Sequence, residues 1–124
     1  MARMWLDHLR VDVSDLDTAE RFYREALGLE RVARYELVNG LIVQMGPNGA
    51  PPGVELWMEQ GLVPKASATE HLAFAVDDVG AWVERIRRHG YQIDREPYAI
   101  GDETVTFVRD PDGHLIELND FKGR

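Results

Sequence analysis

The sequence predicts an α+β fold made of two tandem βαβββ modules whose strands form a curved mixed sheet. A strand-like segment, a helical segment and three further strand-like segments occur in the same order twice along the 124 residues. The two halves also align with each other at a nearly constant offset. The length suits one compact domain, so we expect a single domain over residues 1–124, with module one at 4–59 and module two at 69–120.

Module one begins with the segment Trp5–Val13, in which apolar and polar residues alternate as in a half-buried strand. Ser14 or Asp15 can cap the helix that follows, and apolar residues recur at helical spacing until Gly28, a residue typical of a helix end. Three strand-like segments then follow, at residues 29–35, 41–45 and 54–58.

Module two repeats this order after a connector. A strand is predicted over residues 70–76, and a helix over residues 79–89 that ends at Gly90. Asp110-Pro111-Asp112-Gly113 is a hairpin-turn sequence between the last two predicted strands. The three predicted strands of this half lie at residues 91–95, 104–109 and 115–119.

The repeat places chemically similar side chains at equivalent positions. His8 falls on His71 at an offset of 63, and Glu55 falls on Glu117 at an offset of 62 because one residue is lost around the helix. The alternation along each strand puts these four side chains on the face away from the helix, and it puts Leu9 on the helix side. We therefore expect two imidazoles and two carboxylates in equivalent positions of one composite sheet.

Two imidazoles and two carboxylates without sulfur suit a borderline divalent ion, namely Ni²⁺, Co²⁺, Zn²⁺, Mn²⁺ or Fe²⁺. The alternative is that each histidine is a hydrogen-bonded structural residue and each glutamate is solvated. The repeat favours metal binding, because the structural alternative would require all four residues to stand at repeat-equivalent positions by chance. His89, at a predicted helix end, and His114, after the hairpin turn, are expected to be structural or solvent-facing.

Composition excludes several function classes. With 14 Lys and Arg against 22 Asp and Glu, the net charge of −8 repels nucleic acid and anionic membrane surfaces, so we expect neither as a partner. The absence of cysteine excludes disulfides, thiolate metal sites and a cysteine nucleophile. Neither a signal peptide nor a membrane-spanning apolar run is visible, so we expect a cytoplasmic protein.

Several motifs together resemble the vicinal oxygen chelate superfamily, whose common fold is a pair of βαβββ modules. This superfamily includes glyoxalase I, methylmalonyl-CoA epimerase, extradiol dioxygenases, fosfomycin-resistance transferases and bleomycin-binding proteins. The resemblance covers nearly the whole chain. It rests on the order of elements, the repeat, His8 seven residues before Asp15-Leu16, Phe22-Tyr23 with Leu27-Gly28, and the segment 110–118, DPDGHLIEL.

The resemblance to glyoxalase I implies that His8, Glu55, His71 and Glu117 bind one divalent ion per site. It further implies a lyase or isomerase in which Glu117 would leave the metal to act as the general base, with Glu55 as its counterpart on the opposite side. Because members of this superfamily commonly pair module one of one chain with module two of another, it also implies a homodimer with shared sites.

The substrate pocket is expected to differ from that of a glutathione-dependent enzyme. The resemblance places an arginine and an asparagine that hold glutathione at the positions of Asp12 and Glu59, so we expect a small substrate with vicinal oxygens other than the lactoylglutathione precursor. Two alternatives stay open, which are a protein that sequesters a hydrophobic metabolite or antibiotic and a non-haem iron dioxygenase. Four side chains are predicted to line the pocket, with a surface or core role as the alternative: Arg10, Trp57, Tyr98 and Phe107.

Overall fold

The computed structural model describes residues 1–121 and has the predicted α+β architecture, with strand, helix and three strands in each half. In the first half the elements are β1 (His8–Asp12), α1 (Leu16–Glu25), β2 (Glu30–Leu37), β3 (Gly40–Gly46) and β4 (Gly53–Glu59), with a short 3₁₀ turn at Pro47–Gly49. In the second half they are β5 (His71–Ala75), α2 (Val79–Arg88), β6 (Ile93–Ile100), β7 (Glu103–Arg109) and β8 (Leu115–Asn119).

Each half forms its own four-stranded mixed sheet, with the strand orders β1-β4-β3-β2 and β5-β8-β7-β6. The first and fourth strands of each half run parallel, and the other neighbouring strands run antiparallel. We expected one composite sheet, whereas the hydrogen bonds define two sheets of the same design. This topology puts the histidine-bearing strand of each half directly beside its glutamate-bearing strand.

The described chain divides into two compact units by its internal contacts. One unit contains Met1–Arg24 and Gly28–Pro64, and the other contains Glu25–Leu27 together with the chain from Lys65 onward. The predicted module boundaries, and the expectation that the chain is a single domain, stay predictions.

Repeat-equivalent residues begin and end the two helices. Asp15 caps α1, since its carboxylate accepts a hydrogen bond from the backbone N–H of Thr18 at 3.0 Å, and Asp78 caps α2 in the same way. The bond from Thr18 lowers the pKa of Asp15, because it stabilises the ionised carboxylate. The residues after the helices, Gly28 and Gly90, have φ values of 65° and 86°, which favour glycine.

The apolar faces predicted for the helices form the cores. On α1 the buried apolar residues are Leu16, Ala19, Phe22 and Tyr23, and on α2 they are Val79, Val83 and Ile86. The prediction for Leu9 is wrong. Its side chain is 46% exposed, whereas Val11 and Val13 on the same face are buried. Leu9 lies near the start of β1, which is an edge strand. The buried residues on this face of β1 begin only at Val11.

The predicted strand bounds need two corrections. The first strand begins at His8 rather than Trp5, and the side chain of Trp5 is 71% exposed. The sixth strand covers Ile93–Ile100 rather than residues 91–95, although it contains Pro97. An edge strand with irregular register tolerates a proline, because the missing N–H is not needed in the ladder, and β6 is an edge strand with two register shifts.

An ion pair between the buried Glu20 and the exposed Arg31 ties α1 to β2 in the first unit. Arg31 donates two hydrogen bonds to the carboxylate of Glu20, at 2.8 and 2.7 Å. The bond from Arg31 lowers the pKa of Glu20, although burial opposes this effect. Since the folded-state pKa lies below the unfolded value, the pair stabilises the fold at neutral pH, and this stabilisation is lost as the pH falls through the folded-state pKa.

Candidate metal centre

The first histidine–glutamate pair lies on β1 and β4. These strands run parallel with Leu9 opposite Val54 and Arg10 opposite Glu55, which brings His8 beside Glu55 on one face of the sheet. The His8 Nε2 atom lies 3.4 Å from Glu55 Oε1. This separation exceeds the usual length of an N–H···O hydrogen bond. We call this pair the module-one half-site.

A carboxylate orients the imidazole of His8. Its Nδ1 atom lies 2.7 Å from Asp7 Oδ2, and this oxygen also accepts a hydrogen bond from Gln44 Nε2 at 3.3 Å. A carboxylate can only accept, so this contact favours the tautomer with the proton on Nδ1. The lone pair of His8 Nε2 is then directed toward Glu55, which is the arrangement found in carboxylate–histidine–metal triads.

Trp57 holds the carboxylate of Glu55, and Arg10 stacks on Trp57. The indole N–H of Trp57 donates to Glu55 Oε1 at 2.7 Å, and the guanidinium of Arg10 stacks over the indole at 3.9 Å from the ring centroid. Arg10 also pairs with Asp12 at 2.8 Å and with Glu59 at 3.7 Å. The positive charge of Arg10, which was predicted to line the pocket, is therefore balanced by two carboxylates of the same unit.

The second histidine–glutamate pair has the same construction on β5 and β8. His71 Nε2 lies 3.4 Å from Glu117 Oε1, and His71 Nδ1 lies 2.7 Å from the backbone carbonyl of Thr69, so this imidazole is also held in the tautomer that leaves Nε2 unprotonated. The ring of Phe107 meets the imidazole edge to face, with centroids 5.3 Å apart. We call this pair the module-two half-site.

Asn119 supports the carboxylate of the module-two half-site. Its Nδ2 atom donates to Glu117 Oε2 at 2.7 Å, and its side chain is buried. Asn119 and Trp57 are repeat-equivalent, since each stands two residues after its glutamate. The two half-sites thus share a histidine fixed through Nδ1 and a glutamate fixed by a donor on the same strand.

A pocket of about 290 Å³ opens beside the module-two half-site. Its walls include the imidazole of His71, the ring of Phe107 and the side chain of Arg95. Tyr98 is not among the residues that line this pocket. The Cζ atom of Arg95 lies 3.6 Å from the centroid of the Tyr98 ring. Phe107 thus contacts the half-site directly, in addition to any part it has in packing.

Other predicted features lie apart from these pairs. His89 follows α2, where its Nδ1 is 3.6 Å from a carboxylate oxygen of Glu25, and His114 lies in the hairpin turn, where its backbone N–H donates to Asp110. Among residues 1–121, no group of three or more His, Cys, Asp or Glu side chains is placed to hold a metal ion. Each half-site therefore offers two ligands.

Sequence reasoning did not find the residues that orient the ligands. Asp7 and Thr69 act through contacts that depend on how the chain enters β1 and β5, which no sequence pattern reveals. Asn119 had a usable signal, because it stands at the position equivalent to Trp57 in the repeat. A polar donor two residues after a glutamate lies on the same face of a strand and can reach its carboxylate.

Comparison with known proteins shows the family of this chain. The family model of the Glyoxalase/Bleomycin resistance protein/Dioxygenase superfamily matches residues 5–118. The chain belongs to this superfamily. Superfamily membership agrees with the resemblance inferred from the sequence and with the paired βαβββ fold. In addition, no helix within residues 1–121 has the length and apolar character needed to cross a bilayer.

The relatives of this chain differ in the functions that their names give. The lactoylglutathione lyase of Salmonella typhimurium is 32% identical over 96% of this chain and 94% of its own length. A glyoxalase I mutant from Zea mays has a TM-score of 0.82 at 28% identity, covering 94% of this chain and 45% of that chain. The antibiotic-binding protein TnmS3 from Streptomyces has a TM-score of 0.79 at 28% identity, covering 97% and 98%.

Some relatives are much longer than this chain. The probable chloroplastic lactoylglutathione lyase of Arabidopsis thaliana is 29% identical over 90% of this chain, which spans only 34% of that protein. Superfamily membership therefore establishes the fold of this chain, while its reaction is a matter for proposal.

Proposed function

We propose that this protein is a divalent-metal-dependent lyase or isomerase of the glyoxalase type that acts on a small substrate with vicinal oxygens. The observation that carries the proposal is the repeated half-site, in which an imidazole Nε2 faces a carboxylate oxygen at 3.4 Å in both units. Proteins named lactoylglutathione lyase at about 30% identity support the reaction class.

The half-sites fit the chemistry of a divalent ion. Metal–ligand bonds of about 2.0–2.2 Å place two neighbouring ligand atoms about 3.0–3.5 Å apart, and the two N–O separations fall in this range. Two imidazoles and two carboxylates suit Ni²⁺, Zn²⁺, Co²⁺, Mn²⁺ or Fe²⁺. His8, Glu55, His71 and Glu117 would together hold one ion per site.

Each group around the module-two half-site has a defined part in the proposed reaction. A bound divalent ion supplies positive charge that stabilises negative charge developing on the substrate oxygens. Glu117 would leave the ion to take the proton from the substrate carbon, with Glu55 as its counterpart on the opposite side. Phe107 packs edge to face against the imidazole of His71, and the adjoining pocket of about 290 Å³ accommodates a small molecule.

Solvent exchange tests for proton transfer. In D₂O, the metal-loaded protein is expected to exchange the carbon-bound hydrogen of a small α-hydroxycarbonyl compound, as followed by NMR over a screen of such compounds. The Glu117→Gln variant is expected to exchange at least 100-fold more slowly, because an amide cannot accept the proton. The His114→Gln variant is the control and should keep the wild-type rate. Equal rates in Glu117→Gln and wild type would remove Glu117 as the base.

We also propose a homodimer with two shared sites. His8 and Glu55 of one chain would meet the partner subunit's His71 and the partner subunit's Glu117, which completes the four ligands predicted for one ion. Exposed apolar residues along the N-terminal approach to β1 support an association surface there, namely Met1, Met4, Trp5, Leu6 and Leu9.

Mixing two inactive variants tests the sharing. His8→Ala and His71→Ala homodimers each lose one imidazole from every site. After unfolding, mixing and refolding, half of the dimers are mixed, and each has one site with all four ligands. We expect metal binding to return to about a quarter of the wild-type stoichiometry. Sites formed within one chain would give no recovery, and sedimentation showing only monomers at micromolar concentration would contradict the dimer.

A binding protein without turnover is the second candidate. The structural likeness to TnmS3, described as an antibiotic-binding protein, and the open pocket lined in part by Phe107 and Leu115 favour it. The two candidates differ in their need for an ion, since sequestration by apolar contacts requires none. Pocket ligands whose affinity is the same for metal-loaded and metal-free protein, together with no exchange in D₂O, would favour sequestration.

A further inference from the structure

Asn119 is a buried polar residue whose hydrogen bonding is incomplete. It lies on β8, between β5 and β7, and only 3% of its surface is exposed. Its Nδ2 atom donates to Glu117 Oε2 at 2.7 Å, while Oδ1 is buried and has no hydrogen-bond partner among the described residues. A buried carbonyl without a donor lowers the stability of a fold. A structural role alone does not account for such a residue.

The orientation of the Asn119 amide is fixed by its partner. An ionised carboxylate only accepts hydrogen bonds, so the amide must turn its NH₂ group toward Glu117 and leave its carbonyl oxygen without a partner. The reverse orientation would place two oxygens against each other. The unpaired carbonyl is therefore a consequence of holding Glu117.

The two half-sites hold their carboxylates at different oxygens. Trp57 donates to Glu55 Oε1, which is also the oxygen that faces His8. Asn119 donates instead to Oε2 of Glu117, and Oε1 of that carboxylate faces His71. The side chain of Glu117 is thus anchored through Oε2. Its other oxygen, Oε1, faces His71 and keeps its lone pairs for a metal ion.

We propose that Asn119 is a positioning residue that makes Glu117 a one-oxygen ligand, at a cost to the stability of the metal-free fold. This inference rests on the proposed metal site. By tying Oε2, Asn119 prevents the carboxylate from turning both oxygens toward an ion and keeps Oε1 beside His71 Nε2. Orienting partners of this kind commonly contribute 10–100-fold to metal affinity.

The Asn119→Leu variant separates a positioning role from a structural one, because leucine has the same branching and number of side-chain heavy atoms but no polar group. We expect Co²⁺ affinity to fall about 10–100-fold by chelator competition and the visible Co²⁺ absorption bands to shift as the carboxylate geometry changes. The melting temperature of the metal-free protein should change little, because leucine removes the unpaired carbonyl together with the hydrogen bond to the part-buried Glu117 carboxylate. The Asn119→Ala variant should show the same loss of affinity and the same spectral shift.

Thr106→Val is the matched control. Thr106 is fully buried in the same sheet and donates its hydroxyl to the Arg95 carbonyl at 2.7 Å, and its neighbour across the ladder is Leu118 rather than Glu117. Its replacement should lower the melting temperature and leave Co²⁺ affinity unchanged.

Three results would overturn the inference. Wild-type affinity and spectrum in both Asn119 variants would show that Asn119 does not position Glu117. A melting temperature that falls in Asn119→Leu together with the affinity would show a structural role. Wild-type protein that binds no Co²⁺ would overturn the proposed metal site itself, and this inference with it.

Discussion

Metal-loaded protein is expected to convert the hemithioacetal of methylglyoxal and glutathione at least 100-fold less efficiently than an enzyme with kcat/KM of about 10⁶ M⁻¹s⁻¹. Asp12 and Glu59 stand where the resemblance to glyoxalase I places groups that hold glutathione. Both carboxylates are paired with Arg10, at 2.8 and 3.7 Å, so this arginine is not free to bind an anionic substrate. Contacts to the remote part of a substrate help to position its reacting part, and their loss lowers kcat/KM.

A steady-state assay with nickel- and zinc-loaded protein measures this effect. The double variant Asp12→Asn/Glu59→Gln removes both negative charges and frees Arg10, so its kcat/KM for the hemithioacetal should rise about tenfold or more. The Glu36→Gln variant, which changes an exposed carboxylate on β2, is the charge control and should leave kcat/KM unchanged. Wild-type kcat/KM near 10⁶ M⁻¹s⁻¹ would show that these two carboxylates do not exclude glutathione.

The His71→Ala variant is expected to lose at least 100-fold in affinity for Zn²⁺ or Ni²⁺. Its imidazole supplies one of four proposed ligands, and its Nε2 is directed toward Glu117 by the bond from Nδ1 to the Thr69 carbonyl. Chelator competition with the purified variant measures the affinity. His89→Ala is the control, because His89 lies at the end of α2 beside Glu25. Wild-type affinity in His71→Ala would show that the proposed site is wrong.

Much of the fold could be predicted from the sequence because local signals and the repeat agreed. Alternation along the first strand of each half and helical spacing after Asp15 and Asp78 identified the elements, and the offset of 62–63 residues confirmed their order. Strand ends were less predictable, since they depend on pairing with neighbours. The continuation of β6 through Pro97 follows from its place at the sheet edge, which the sequence does not show.

The sequence predicted the four candidate metal ligands but not the residues that orient them. Face alternation and the repeat singled out His8 with Glu55 and His71 with Glu117, and the structure brings each pair to 3.4 Å. The parallel pairing that makes this possible depends on hydrogen bonds between strands far apart in the chain. The same dependence explains why the bond from Asn119 to Glu117, and its unpaired carbonyl, appeared only in the structure.

Metal content of the wild-type protein tests the central claim most directly. The protein is reconstituted separately with each of the five candidate metals, dialysed to remove loosely held ions, and analysed for metal and protein together. If the two half-sites combine into sites with four ligands, the account predicts about one divalent ion per chain. A folded wild-type protein that retains less than about 0.1 ion per chain after reconstitution with each of the five candidate metals would contradict it.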